Sequence, residues 1–514
     1  MRYTRPPGLL DLDPETFRAH AWVQERLLQV FDRYGYAQAG APSLEYRDLY
    51  EPTRMGAHLF HDLLLARLSE SEEFPGAETS AGEPAGEPES THDAALRPDF
   101  TTPLARRLIE RLLTEGVPKG SVRRAYSGSV FRDVSADSER QKEFTQTGVE
   151  LVGEQRLLGD LEILTLACDC AEALGLPQWR MHLGHAGLFK ACVASLKLPP
   201  GPEQALLNNM VIAARLRLSS RMDSDATFGR LLAHRLPAMH RRVVASGMQS
   251  APELLAPETL TLSTWRSRLP ELFEAWLRQV WGQERGLDNA ALDTILGLAA
   301  LDPDPEKFFD DLAPFLTCQE SSQASSTLQL LVQRLQERRG PKLALTPAAS
   351  RGIGYYDGLT FELHSTQGAL CGGGRYHGLH AWILDRARQT HQLRTGQLPA
   401  IPADTERMLS GVGLAWGVER IVSTLGGVPQ AARGAPIAVT FSDPSLSQAA
   451  FALADRLRSK GFRVSQGLGE NPQSTVNLTL VDHSQGQVSL KHPEQPATLV
   501  PLSKLEAHLE SNHV

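Results

Sequence analysis

The chain has 514 residues, of which 41% are hydrophobic and 22% are charged, a balance typical of globular proteins. At roughly 150 residues per domain, this length predicts about three domains. The formal net charge of −8 argues against the basic footprint that wraps a nucleic-acid backbone, so we expect no nucleic-acid partner. The sequence shows neither the apolar stretch of a signal peptide nor a run of about 20 apolar residues. We therefore expect a soluble, cytoplasmic protein without membrane contact.

The cysteines are scattered and show no pair of CxxC spacings, which predicts free thiols in a reducing compartment and no metal site. Cys168 and Cys170 fall in a helical pattern, where we expect them to pack in the core.

In chain order, the first predicted element is a helix over residues 14–34, capped by Asp13 and ended by Gly35. An extended stretch over 36–46 follows, broken by Pro42. Residues 75–90 are rich in Gly, Pro, Glu and Ser, a composition typical of a disordered surface loop.

Residues 121–153 resemble an antiparallel hairpin, and a Leu/Ala-rich region over about 155–340 has helical periodicity. Strand patterns return over 342–375 and 409–415. A small βαβ unit is predicted after the linker near 426–436, with its helix over 446–461. We predict an α+β protein, an antiparallel sheet covered by helices.

The common nucleotide-binding and zinc-protease motifs are missing, so a bound nucleotide would have to be held by arginines over a sheet. Four segments fit that arrangement: LRPDFTTPLAR (96–106), VFRDVSADSERQKEFTQTGVELVG (130–153), SRGIGYYDGLTFELHSTQGALCGGGRYHGL (350–379) and GVGLAWGVERIV (411–422).

In order and spacing these segments resemble the class II aminoacyl-tRNA synthetases, and within them the histidyl branch, over residues 1–425. The second and fourth resemble motifs 2 and 3, the third resembles the two histidine signatures, and 35–45 resembles the dimer-forming motif 1. The resemblance implies a class II synthetase-like antiparallel sheet flanked by helices, and self-association as a dimer. It also implies four parts: a first core part (1–185), a mainly helical insert (186–340), a second core part (341–428) and a truncated anticodon-binding-like α/β unit (435–514).

A pocket for free histidine needs acceptors for the ammonium group and polar partners for both ring nitrogens. Asp99 suits the ammonium, with Thr101 and Gln146 beside it, while Glu150 and Tyr356 suit the ring. The resemblance places these histidine-contacting positions at Gln146, Glu150, Arg351, Tyr355 and Tyr356.

Arginine forks suit phosphate oxygens. The resemblance assigns nucleotide or phosphate binding to Arg132, Arg140 and Arg420, and Arg351 also matches an arginine that holds ATP phosphates or the adenylate. Residues 372–374, all glycine, would let backbone approach the ligand. Taken singly, Arg132 reads equally well as a surface residue, and Tyr355 and Tyr356 as alternating core and surface positions of a strand.

The chain departs from the synthetase pattern at several positions: Asp99 and Phe100 in RPDFT, Val134 in FRDV, Lys142 and Thr145 in RQKEFTQ, Gly354 in RGIGYY, and His377 in GGGRYHGL. The RPDFT and EFTQxGVE runs resemble those of the regulatory subunits of ATP phosphoribosyltransferase, the first enzyme of histidine biosynthesis. That resemblance implies no catalysis and no cofactor in this chain, a short catalytic subunit as its partner, and histidine feedback. The alternative is a divergent histidyl-tRNA synthetase that activates histidine with ATP.

Overall fold

A computed structural model gives the fold of the chain. It describes residues 5–51, 60, 62–68, 92–134, 141–198, 278, 288–337, 342–346, 354–366, 368–426, 437–441, 443–460, 462, 464–466, 476–482, 487–491 and 496–511. The chain divides into two compact units, Met1–Gly427 and Val428–Val514. The loop predicted over 75–90 and most of the insert predicted over 186–340 lie outside the described residues, and the bounds of the four predicted parts stay predictions.

The first unit is built on an eight-stranded sheet and a second, three-stranded sheet. The strands are β1 Ala37–Gln38, β2 Leu44–Tyr46, β3 Leu65–Leu68, β4 His92–Leu96, β5 Val122–Phe131, β6 Glu143–Val152, β7 Arg180–His185, β8 Lys342–Leu345, β9 Leu359–Ser365, β10 Gly368–Tyr376 and β11 Gly411–Gly417. The large sheet has the order β1-β5-β6-β11-β10-β9-β7-β8, and the second sheet has the order β2-β4-β3. The large sheet is antiparallel except at its two ends, where β1 pairs with β5 and β8 pairs with β7 in parallel.

Helices cover this sheet, and their apolar sides form the core. They are α1 Pro14–Arg33, α2 Thr101–Glu115, α3 Arg156–Ala173, α4 Ala186–Ala194, α5 Asn289–Ala300, α6 Pro305–Leu312, α7 Gln319–Glu337, α8 Gly378–Thr395 and α9 Val418–Leu425. The α+β class predicted from the sequence is confirmed.

Helix α1 begins and ends as its sequence predicts. The Asp13 side chain accepts hydrogen bonds from the backbone N–H groups of the first turn, and Gly35 has a φ of +78°, a conformation that favours glycine. Val23, Leu27 and Val30 form a buried apolar stripe on α1, on the side of the helix that faces the large sheet.

The predicted hairpin is the β5–β6 pair, joined in antiparallel register from Val122 opposite Val152 to Phe131 opposite Glu143. Strand β7 was not predicted. Its sequence, RMHLGH, is buried at four successive positions, so it lacks the polar alternation that identifies a one-sided strand.

The second unit contains β12 Ile437–Phe441, α10 Ser447–Ser459, β13 Val464–Gln466, β14 Val476–Asp482, β15 Gln487–Lys491, β16 Thr498–Pro501 and α11 Leu505–Ser511. Its sheet runs in the order β13-β12-β14-β15-β16, and β12 lies parallel to both β13 and β14. The predicted βαβ arrangement is therefore present, with a core of its own between the sheet and the two helices.

All five cysteines are free thiols, and Cys168 and Cys170 are buried on α3 as predicted. Within the described ranges, no cluster of His, Cys, Asp and Glu side chains has the geometry of a metal site. No helix among these residues is long and apolar enough to cross a bilayer.

Candidate functional site

The centre of the candidate site is Glu150, a carboxyl group buried near the end of β6 with 4% of its surface exposed. The hydroxyl of Thr101, at the start of α2, donates a hydrogen bond of 2.6 Å to its Oε1 atom. The hydroxyl of Tyr376, on β10, donates another to its Oε2 atom. Burial raises the pKa of Glu150 to about 8, although both hydroxyl hydrogen bonds act in the opposite direction.

Tyr376 is a site residue that the histidine assignment missed. It is fully buried, and its ring packs edge-on against Tyr355 at 5.7 Å between centroids. The sequence signal is the GGGRY run, which lies in the segment that resembles the two histidine signatures. The tyrosine at the end of that run carries the hydroxyl that reaches Glu150.

Glycines on the neighbouring strands make room for the Glu150 carboxyl group. Strand register places Gly413 opposite Glu150 and Gly374 opposite Gly413. A Cβ atom at Gly413 would lie 2.1 Å from Oε2 of Glu150, and one at Gly374 would lie 2.9 Å from the Tyr356 ring. The room at Gly374 is taken by the Tyr356 ring, and the approach of residues 372–374 to a ligand stays a prediction.

Asp99 lies immediately before α2, where it accepts a 3.1 Å hydrogen bond from the backbone N–H of Thr102. The Tyr355 hydroxyl donates to its other oxygen at 3.3 Å. Burial raises the pKa of Asp99, while the Thr102 hydrogen bond and the charge of Arg132 lower it. The carboxyl group is thus fixed and buried, and neither of its described hydrogen bonds comes from a cationic group.

Gln146 lies four residues before Glu150 on β6, on the same face of the sheet. It is 4% exposed, and its Oε1 atom has no hydrogen-bond partner among the described residues. A buried acceptor without a donor costs about 1–3 kcal/mol, so a donor supplied by a ligand would be favourable at this atom.

Tyr355 and Tyr356 lie in a turn before β9, and the interpretation of this pair as alternating strand positions was wrong. Their rings meet edge to face at 5.0 Å between centroids. Tyr355 is buried and Tyr356 is half-buried. The Tyr355 hydroxyl reaches Asp99, and the Tyr356 ring lies beside Gly374.

The predicted arginines fall into three groups. Arg132 donates to the Pro98 carbonyl at 3.2 and 3.3 Å and lies over the Phe144 ring. Arg420, on α9, donates to the Ala369 carbonyl at 2.8 Å. Arg140 and Arg351 lie outside the described residues, so their assignments stay predictions.

The departures from the synthetase pattern have structural consequences. Phe100 fills buried space, where its ring stacks on Tyr126 at 4.4 Å and lies under Arg97. Val134 is buried, and Lys142 forms an ion pair with Asp133. The substituted positions are therefore packed into the fold.

Thr145 and His377 are held through their backbone. The Thr145 N–H donates to Glu419 at 2.7 Å, and the His377 N–H donates to Asp357 at 2.9 Å. Gly354 is exposed in the turn that precedes the tyrosine pair. At Thr145 and His377 the described hydrogen bonds are made by the backbone N–H groups and not by the side chains.

The fold is that of a class II aminoacyl-tRNA synthetase-like protein. Helices cover a mainly antiparallel sheet, and the site on it combines the buried carboxyl groups of Asp99 and Glu150 with glycines at positions 374 and 413. The family model described as histidyl-tRNA synthetase matches residues 87–245 and 272–391, more than half of the chain. The chain belongs to the histidyl-tRNA synthetase family.

Among curated proteins, the chain is 25% identical over 500 residues to the "ATP phosphoribosyltransferase regulatory subunit" of Nostoc punctiforme, covering 95% of this chain and 96% of the relative. It is 22% identical over 466 residues to the "Histidine--tRNA ligase" of Methanocaldococcus jannaschii, covering 89% and 84%.

Two solved structures share the fold. One is a histidyl-tRNA synthetase from Nostoc, with a TM-score of 0.62, 15% identity and 100% of both chains covered. The other, from Bacillus halodurans, is described as an ATP phosphoribosyltransferase regulatory subunit/histidyl-tRNA synthetase, with a TM-score of 0.59, 18% identity and 93% and 98% covered.

Proposed function

We propose that this chain is a non-catalytic regulatory subunit that a short-form ATP phosphoribosyltransferase requires for activity, and that it senses histidine. The observation that carries the proposal is the buried Glu150, which accepts hydrogen bonds from two neutral hydroxyl groups and whose carboxyl group fits against Gly413 of the neighbouring strand. The names of the relatives similar over nearly their whole length support the regulatory role.

Free histidine complements this set of groups. Its ammonium group would lie between the buried carboxyl group of Asp99 and the Oε1 atom of Gln146, which has no donor among the described residues. Its ring would reach Glu150 with one nitrogen and Tyr356 with the other. Gln146 and Glu150 lie on the same face of β6 with Gly148 between them, so both side chains are available to one ligand on that face.

Loss of synthetase chemistry is supported at the positions where the pattern changes. Val134 offers no acceptor at the place of the motif 2 glutamate, and Lys142 already holds an ion pair. We expect the purified chain not to charge histidine tRNA, to need no cofactor, to self-associate as a dimer and to work in the cytoplasm.

Reconstitution with a short-form catalytic subunit tests the proposal. We expect phosphoribosyl transfer to ATP to appear when the two chains are mixed and to be absent for the catalytic subunit alone. A histidyl-tRNA synthetase, which shares the fold, serves as the matched scaffold control and should not activate. A catalytic subunit that is equally active without this chain would contradict the proposal.

A divergent histidyl-tRNA synthetase is the second candidate, favoured by the described Arg132 and Arg420 at positions that match phosphate-binding arginines. Histidine-dependent exchange of pyrophosphate into ATP, followed by charging of histidine tRNA, separates the two. Robust charging would establish the second candidate in place of the first.

A further inference from the structure

A concave space lies between α2, α8 and the β5–β6 hairpin and shares residues with the proposed histidine site. It is a cavity of about 250 Å³, and its lining includes Glu150 and Tyr376. An apolar cavity of about 150 Å³ is already large enough to hold benzene. The volume therefore suits a ligand with a single ring, and Leu104, Leu108 and Leu112 supply an apolar wall for it.

Three arginines border the same cavity. Arg107 and Arg111 lie one turn apart on α2, and Arg124 lies across from them on β5. Arg111 is paired with Glu115, whereas the described hydrogen bonds of Arg107 and Arg124 go to backbone carbonyls, those of Gly40 and Arg123.

Glu115 also lines the cavity and offsets the charge of Arg111, but the positive charges still act on one another. Burial, followed by the charges of Arg111 and Arg107, lowers the pKa of Arg124. An anion in the cavity would relieve this repulsion and would offer Arg124 a charge-assisted hydrogen bond.

His380 supplies a polar group at the inner end. It is 1% exposed, and its Nδ1 atom lies 3.1 Å from the Leu409 carbonyl. Burial lowers its pKa to about 4, so the ring is neutral at pH 7. A carbonyl can only accept, so Nδ1 carries the proton and Nε2 is left as an acceptor. A ligand hydroxyl or N–H group would complement Nε2.

We propose that this cavity is a second ligand site for a small organic anion, namely a single apolar ring with a carboxylate or phosphate at the arginine end and a hydrogen-bond donor at the other. Occupancy of the cavity and of the histidine site is coupled, because Glu150 and Tyr376 border both. Only this coupling rests on the proposed function.

Binding of 4-hydroxybenzoate, measured by calorimetry on the full chain, tests the site. Phenol lacks the anion and benzoate lacks the donor, and we expect each to bind about tenfold or more weakly. Equal binding of 4-hydroxybenzoate, phenol and benzoate would overturn the roles assigned to Arg124 and His380. No binding of 4-hydroxybenzoate would overturn the site itself.

Two variants and one control locate the binding. Arg124→Gln should weaken 4-hydroxybenzoate binding about tenfold or more, whereas Arg18→Gln, an exposed arginine on α1, should leave it unchanged. Leu108→Phe fills the cavity and should abolish binding while the thermal transition is retained. Unchanged binding in either test variant would contradict the proposal.

Histidine and 4-hydroxybenzoate should change each other's affinity by the same factor. Binding of 4-hydroxybenzoate without any binding of histidine would leave the cavity site standing and remove the proposed histidine sensing. Binding of histidine without any binding of 4-hydroxybenzoate would leave the proposed histidine sensing standing and remove the cavity site. Loss of 4-hydroxybenzoate binding as protein concentration rises, in step with dimer formation, would show that a second copy covers the cavity and would overturn the proposal.

Discussion

The hydroxyl of Tyr376 donates a hydrogen bond to the carboxyl group of Glu150 across one intervening strand of the large sheet. Glu150 lies on β6 and Tyr376 at the end of β10, with β11 between them. The bond joins the strand that carries Gln146 to the strand that carries the glycine run. It therefore fixes the acid in the position where the ring of a bound histidine is expected.

Tyr376→Phe removes that hydroxyl and should weaken histidine binding by about 1–3 kcal/mol, because the carboxyl group loses one of its two described donors and its orientation. Calorimetry at pH 7 measures the change. The matched control is Tyr36→Phe, which removes a 2.8 Å tyrosine–glutamate hydrogen bond to Glu162 elsewhere in the unit. Equal losses in the two variants would show that Tyr376 has no particular role in binding.

Glu150→Gln should make stability less dependent on pH. The pKa of Glu150 is about 8 in the folded chain against an ordinary 4.5, so the folded state holds the proton more tightly. The contribution of Glu150 to the free energy of unfolding is therefore fully present below pH 4.5. It falls as pH rises from 4.5 to 8 and is constant above pH 8. The loss is on the order of a few kcal/mol.

Thermal melting between pH 5 and 8.5 measures this dependence. The wild-type melting temperature should fall relative to that of Glu150→Gln as pH rises. Glu115→Gln is the control, because Glu115 is exposed and its hydrogen bond with Arg111 lowers its pKa. Parallel curves for wild type and Glu150→Gln would contradict the buried, protonated acid.

Gln146→Leu should stabilise the ligand-free chain by about 1–3 kcal/mol and weaken histidine binding, because it removes a buried acceptor that has no described partner. The melting temperature with and without histidine measures both effects. Gln29→Leu, at an exposed position on α1, should change neither. A Gln146→Leu variant that is less stable yet binds histidine normally would refute the assignment.

Asp160 and Arg375 form a buried ion pair of 2.6 Å, and Arg375 also donates to Ser410 at 2.8 Å. Asp160→Asn should destabilise the unit by about 3–5 kcal/mol, because it leaves a buried cation without its counter-charge. Adding Arg375→Met should recover much of that loss, as melting of the single and double variants will measure. Additive losses would contradict a direct pair. Glu337→Gln, in an exposed pair with Arg334, should cost less than about 1 kcal/mol.

Much of the fold follows from local patterns in the sequence. The Asp13 cap and Gly35 set the ends of α1, and the alternation and turn residues of 121–153 predict the β5–β6 hairpin. Strand β7 does not follow, because a strand buried on both faces has no alternation to detect.

For the site, the sequence supplies the residue types but not their contacts. The contacts of the site join residues that lie up to 256 positions apart in the chain. Hydrogen bonds link Thr101 to Glu150 and Tyr355 to Asp99, and all four side chains are buried. The partnership of Tyr376 with Glu150 depends on strand order, which no local pattern encodes. Phe100 likewise reads as a simple departure until its stack on Tyr126 shows what space it fills.

Histidine inhibition of a reconstituted short-form ATP phosphoribosyltransferase, compared between the wild-type chain and Glu150→Ala, tests the central claim most directly. Control by histidine requires it to bind the active and inactive arrangements with different affinity, typically by a factor of about 5–150. We predict that both chains activate the catalytic subunit, and that Glu150→Ala raises the histidine concentration needed for half-inhibition about tenfold or more. Identical inhibition curves, or a catalytic subunit that needs neither chain, would contradict the account.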